Sequence, residues 1–150
     1  MKIRTILACT AMSVGTLLAL PGAANASTSD TYEAQATKYT NIQRLNYKKV
    51  TLKTQYCVDR YAEAHARWMA SRRTLKHQSM TKVLNNCRLR YVGENIAYGF
   101  RTGPAVVSAW MRSSGHRANI LKTGYRWIGV GAYQDSRGVW WVSQVFGTKR

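Results

Sequence analysis

The stretch that decides the fold is T-G-P-A-V-V-S-A-W-M-R-S-S-G-H-R-A-N-I-L, residues 102–121. Pro104 suits a first helical turn, where a missing N–H is not needed. Val106, Val107, Trp110 and Met111 then recur at three- and four-residue spacing. One apolar face results, and it has to be laid on something. The spacing predicts a short amphipathic helix stopped by Gly115, which can take the left-handed conformation that ends helices. On that reading the next side chain, His116, leaves the helix axis and is aimed into a cleft.

Downstream, Trp127 to Tyr133 and Val139 to Phe146 read as strands joined through the hairpin turn Asp135-Ser136-Arg137-Gly138. Val139, Trp140, Trp141 and Val142 run together without alternating, which a half-solvated strand would not tolerate. Both faces of the sheet therefore need cover, and helices are the cover available. The fold class that follows is α+β, a three-layer α-β-α sandwich with a small antiparallel sheet covered by helices on both faces.

Upstream, Val92 to Gly99 is a short extended run with Glu94 in its middle, and a carboxylate flanked by Val92 and Ile96 needs partners if buried. Cys57 to about Arg73 is the best helix, with Val58, Tyr61, Ala62, His65, Trp68 and Met69 on one stripe. His65 within that stripe reads as a core imidazole satisfied by a neighbour. His77 falls in L-K-H-Q-S-M, on a loop or edge strand, and Lys82 to Cys87 reads as one helical turn. Asp30 with Glu33 looks like an acidic cap, opening a first helix to about Tyr47 whose thin apolar stripe is Ala34, Thr37, Ile42 and Leu45.

At the start, Lys2 and Arg4 precede an apolar run from Ile6 to Leu20, followed by Ala24-Asn25-Ala26. This reads as a secretory signal peptide over residues 1–26, leaving one domain over 27–150 that is secreted and extracellular. Cys9 comes too early in the run for a lipid-attachment site. No later apolar stretch is long enough for a transmembrane segment. Cleavage leaves Cys57 and Cys87, and in an oxidising compartment a bridge between them is the default.

The formal charge of the whole sequence is +17, and losing Lys2 and Arg4 lowers it to +15. Such a field draws a protein toward anionic cell-envelope polymers, acidic glycans or lipid headgroups. No recognition-helix pair, zinc finger or RNA-binding signature is present, so no specific nucleic-acid partner is expected. A monomer is the expected state.

Together, GENIAYG at 93–99, AWMRSSGHRANIL at 109–121, IGVGAY at 128–133 and WWVSQVFG at 140–147 resemble the CAP superfamily of cysteine-rich secretory, antigen 5 and pathogenesis-related proteins, in its bacterial secreted branch. Asn41 to Arg44 resembles the N-x-x-R of that family's first helix and YAEAHARWMA its second. The resemblance implies the same α-β-α sandwich and a cleft of two histidines and two glutamates. It assigns His77 and His116 as the histidines and Glu94 as the first glutamate. The second usually lies three residues after the helix tryptophan, where this chain has Ser113.

His77, His116 and Glu94 are the ingredients of a divalent metal site with open positions, most naturally zinc, with Glu94 either a ligand or an orienting partner. Two functions compete for this cleft. One is a cell-envelope binding module, with a small lipid or protein as a further ligand and Tyr98, Trp110 and Tyr125 near the cleft motifs. The other is a metal-dependent extracellular hydrolase of peptide, ester or wall bonds, in which His77, Glu94 and His116 are the candidate catalytic residues. Ser113, Ser114 and Ser143 lack any motif that would mark a nucleophile.

Overall fold

The computed structural model describes residues 26–149. The segment expected to be a signal peptide, apart from Ala26, and Cys9 fall outside these residues. The elements run α1 (Ala26–Asn46), β1 (Lys53–Thr54), α2 (Tyr56–Arg72), α3 (Met80–Asn86), β2 (Leu89–Tyr98), α4 (Gly103–Arg112), α5 (Ser114–Leu121), β3 (Trp127–Gln134) and β4 (Trp140–Lys149).

The strands form one sheet in the order β1-β3-β4-β2. The β3-β4 and β4-β2 pairs are antiparallel, as expected, whereas the two-residue β1 adds a parallel edge beside β3. The run of apolar residues in β4 divides between the two faces. Trp140, Val142 and Phe146 pack with Val106, Val107 and Trp110 of α4, Ile120 of α5 and Tyr32 and Ala36 of α1. Val145 faces Val58 and Ala62 of α2 and Val83 of α3, and Trp141 faces Met69 and Ala70 at the end of α2. The sandwich is therefore three-layered, with two cores back to back across the sheet. A Cβ at Gly129 or Gly131 would collide with the α2 backbone at Asp59 or Ala62, so these two glycines let the helix lie directly on β3.

Three local expectations change. The helix in the deciding stretch stops at Ser113, in extended conformation, not at Gly115. Gly115 lies inside α5, and His116 sits in that helix's first turn. The serine supplies the break because its extended backbone ends one helix while its carbonyl accepts from Arg117 N–H at 2.8 Å to begin the next. Second, α1 begins before Asp30, so Asp30 and Glu33 lie within the helix and not at a cap. Third, Ile42 and Leu45 are exposed; the buried stripe of α1 is Tyr32, Ala36, Thr40 and Arg44.

Cys57 and Cys87 are bridged, tying the start of α2 to the end of α3. In the chain-entropy model a loop of this length gains roughly 3 to 4 kcal/mol. Pro104 stands in the first turn of α4, whose cap is Thr102, its side chain accepting from Ala105 N–H at 3.3 Å. The hairpin turn is held by Asp135, whose carboxylate accepts from Arg137, Val139 and Trp141.

Both edges of the sheet are finished by side chains. On the β2 edge, Glu94 O accepts from Asn119 Nδ2 of α5 at 3.0 Å and Ile96 O from Trp110 Nε1 of α4 at 3.3 Å. On the β3 edge beyond β1, Val130 N–H donates to Asp59 at 3.1 Å and Ala132 N–H to Glu33 at 2.8 Å. Helix side chains thus satisfy backbone groups that a further strand would otherwise pair.

A candidate histidine and glutamate cleft at the edge of the sheet

Glu94 lies mid-strand on β2, opposite Val145 of β4, and projects to the α2-α3 face. Its side chain is 1% exposed. An ionised carboxylate accepts hydrogen bonds only, so burial has to be balanced by donors. Oε2 accepts from His77 Nδ1 at 2.7 Å and from the Gln78 backbone N–H at 3.4 Å. Oε1 accepts from Gln78 Nε2 at 2.8 Å and Ser143 Oγ at 2.9 Å, and His65 Nε2 stands 3.9 Å away. Both oxygens are occupied by the protein's own donors.

The loop between α2 and α3 brings His77 to this carboxylate. Arg73 ends α2 in left-handed conformation, at φ 48°, and the chain then runs extended to the Ser79 cap of α3. Donation by Nδ1 fixes the tautomer, leaving Nε2 of a ring whose side chain is 59% exposed free to accept or ligate. His65, from α2, donates Nε2–H to Lys76 O at 2.7 Å and stacks on Trp68. It is the core imidazole expected of it, and it also anchors the loop that carries His77. His65, Trp68, Lys76, His77 and Gln78 line a hollow of about 250 Å³.

His116 comes from α5, which packs on the opposite face of the sheet. Its carbonyl accepts from Asn95 Nδ2 at 3.2 Å, and Asn119, one turn later, donates to Asn95 Oδ1 at 3.0 Å. The helix is thereby pinned to the same stretch of edge strand that carries Glu94. His116 Nδ1 pairs with Ser113 Oγ at 2.9 Å, so the serine found where the family resemblance led to the expectation of a second glutamate orients the ring. Burial, and then the charge of His77, push the His116 pKa below its ordinary value.

The structure thus joins His77 directly to Glu94 and brings His116 to the same strand, where it feels the charge of His77 without bonding to either. Among the described residues no group of three His, Cys, Asp or Glu side chains is arranged to hold a metal ion. Among the same residues, the Nε2 atoms of the His77 and His116 imidazoles carry no hydrogen bond, and Glu94 stands behind His77 as the acceptor for its Nδ1.

Sequence reading missed Gln78, Asn95, Asn119 and His65 as members of this network. The GEN and GHR-x-N blocks contain Asn95 and Asn119, but spacing alone does not reveal that their amides meet across two elements. Ser143 is fully buried and donates to Glu94, which removes it as a nucleophile. Of the three aromatic residues near the cleft motifs, Trp110 and Tyr125 are core, Tyr125 stacking on Phe146. Tyr98 is exposed and stacks on Trp141.

Fold and sequence together place the chain in the CAP class, and it belongs to the cysteine-rich secretory protein family, which matches residues 37–146. It is 34% identical over 121 residues to the uncharacterized protein YkwD of Bacillus subtilis, a match covering 76% of this chain and 47% of YkwD. The chain therefore spans about half of that relative's length. Among solved structures it is similar to an extracellular SCP-domain protein of Bacillus anthracis, with a TM-score of 0.72 and 25% identity over 81% of this chain and 41% of the other. It also shares the fold of an outer surface protein of Borrelia burgdorferi, with a TM-score of 0.69 and 18% identity over 76% of this chain and 90% of that one. No helix among the described residues is long and apolar enough to cross a membrane.

Proposed function

We propose that this chain is a secreted binding module of the cell envelope whose cleft holds one divalent metal ion, zinc by donor chemistry, between His77 and His116. The observation that carries the metal reading is the pairing of both Nδ1 atoms, His77 to buried Glu94 and His116 to Ser113, with both Nε2 atoms left unbonded. Zinc-ligating histidines are usually oriented through their other ring nitrogen. The Glu94 carboxylate, an acceptor, does this for His77, and the Ser113 hydroxyl orients the ring of His116. Two protein ligands leave the remaining positions to water or to a bound group, so a metal here would serve as a docking point for an anionic ligand. The formal charge of +15 after loss of Lys2 and Arg4 from the +17 of the full sequence supports the envelope as the place of action.

The test is thermal melting of the protein at neutral pH with and without added zinc. A ligand selective for the folded state raises the midpoint by mass action. The rise is expected in the wild type and absent in His77→Ala and His116→Ala. An equal rise in all three places the metal elsewhere and ends this reading.

A second reading, hydrolysis, is favoured by the 2.9 Å contact between Ser113 and His116 and by the open Nε2 of His77. Its measure is chelator-sensitive turnover of purified wall, casein or simple esters that disappears in Glu94→Gln. Turnover of none of these substrates leaves the binding module.

A further inference from the structure

The second half of α1 is inside out. Its buried positions there are Thr40 and Arg44, while Tyr39, Ile42 and Leu45, three residues apart, face solvent, with Leu45 58% exposed. A surface helix ordinarily hides its apolar stripe and shows its polar one. The segment that follows continues the pattern, with Tyr47 50% and Val50 55% exposed. These residues are rigidly presented. Arg44 donates to Val50 O at 2.7 Å and to Ile120 O at 2.6 Å, and Asn41 exchanges two hydrogen bonds with the Leu52 backbone, at 2.7 and 3.0 Å. Lys48, Lys49 and Lys53 are interleaved with Tyr47 and Val50 along this segment, whereas Lys38 of α1 lines the hollow that holds Asp30 and Glu33. No Asp or Glu occurs between Glu33 and Asp59 in the chain.

We infer that this apolar, lysine-fringed surface at the end of α1 is a docking face for an anionic lipid bilayer, with Ile42, Leu45 and Val50 entering the headgroup boundary and the lysines meeting the headgroups. The inference deepens the envelope reading above and rests on it. Charge complementarity selects the occupant. A second copy would set lysines against lysines across a two-fold contact. A soluble anionic polymer would satisfy the lysines but offers no apolar phase for Ile42 and Leu45. A basic apolar face with aromatic residues is the composition of interfacial membrane-binding helices.

The experiment is flotation of the full chain with vesicles of phosphatidylcholine alone and of phosphatidylcholine with phosphatidylglycerol, at low and high salt. Wild type is expected to float with the anionic vesicles and to keep a residual bound fraction at high salt, because apolar insertion is not screened. Ile42→Gln with Leu45→Gln conserves charge and helix propensity and is expected to lower partitioning about tenfold or more. Its melting midpoint checks that the fold is intact. Lys48→Gln with Lys49→Gln is expected to weaken binding at low salt by about tenfold or more. Wild-type-like flotation of the Ile42/Leu45 variant, stripped fully by salt, overturns the docking face while leaving charge-driven envelope association standing. So does a wild-type dimer in light scattering that the same variant abolishes. No flotation with any vesicle also overturns it, and pull-down on purified wall then tests the envelope reading separately.

Discussion

Glu94 Oε2 lies 2.7 Å from His77 Nδ1, one partner on an edge strand and the other on a loop seventeen residues earlier, and this contact sets the character of the cleft. The buried carboxylate accepts from four groups at hydrogen-bonding distance, so substitution does more than remove one bond. Glu94→Gln puts an amide donor against Ser143 Oγ and Gln78 Nε2 and strands at least one buried polar group. A loss of about 1 to 3 kcal/mol in denaturant unfolding is expected. Zinc affinity, measured by titration on the variant that remains folded, is expected to fall about 10- to 100-fold.

Ser113 Oγ restrains His116 without a role in the core. Ser113→Ala is expected to leave the melting midpoint within a few degrees and to weaken zinc binding about tenfold, by freeing the ring. Equal zinc affinity in Ser113→Ala and wild type removes Ser113 from the site.

The hollow of about 540 Å³ beside the β3 edge gathers Asp30, Glu33, Asp59 and Glu63, four of the six acidic residues of the sequence. Burial first, and then the charges of Glu63, Asp59 and Asp30, raise the Glu33 pKa from 4.5 to about 7 against the hydrogen bond from Ala132. A carboxyl raised in this way binds its proton more tightly folded than unfolded. Its contribution is therefore full below pH 4.5 and lost as pH rises through about 7. Unfolding free energy is expected to fall across that window by roughly 1 to 2 kcal/mol from this group, allowing for solvent screening at a half-open site. Glu33→Gln is expected to flatten that slope, as read by urea unfolding at a series of pH values.

Gly131 and Gly115 separate close packing from helix punctuation. Gly131→Ala forces a methyl into the α2 backbone at Ala62 and is expected to cost about 2 to 3 kcal/mol. Gly115 meets nothing within 4 Å and has no left-handed φ, so Gly115→Ala is expected to stabilise by about 0.5 kcal/mol. Destabilisation by Gly115→Ala would restore the glycine as a helix stop.

The layers of the fold were legible because they follow from local pattern. The unalternating Val139 to Val142 required cover on both faces, and the turn chemistry of 135–138 placed the hairpin. The direction of α1 was not legible. Ile42 and Leu45 look like core residues to any reading that counts apolar spacing. Only the docking of Arg44 against Val50, Ile120 and Lys122 turns them outward. The break at Ser113 was hidden for a related reason: glycine is the stronger helix stop in isolation, but here the helix restarts across it.

The sequence by itself determined the longer helices and strands, though not β1 or α5, the bridge between Cys57 and Cys87, and which residues could serve a cleft, since these depend on local periodicity, cysteine number and recognisable blocks. The tertiary structure decided which of those groups are free to act. Only the pairing of β2 with β4 and the return of the α2-α3 loop together consume both oxygens of Glu94. Meanwhile α5, pinned to the far face of β2 through Asn95 and Asn119, brings in His116, and the Nε2 atoms of both histidines stay open. Hydrogen-bond satisfaction in a buried site is a property of every neighbour at once, and no spacing along the chain encodes it.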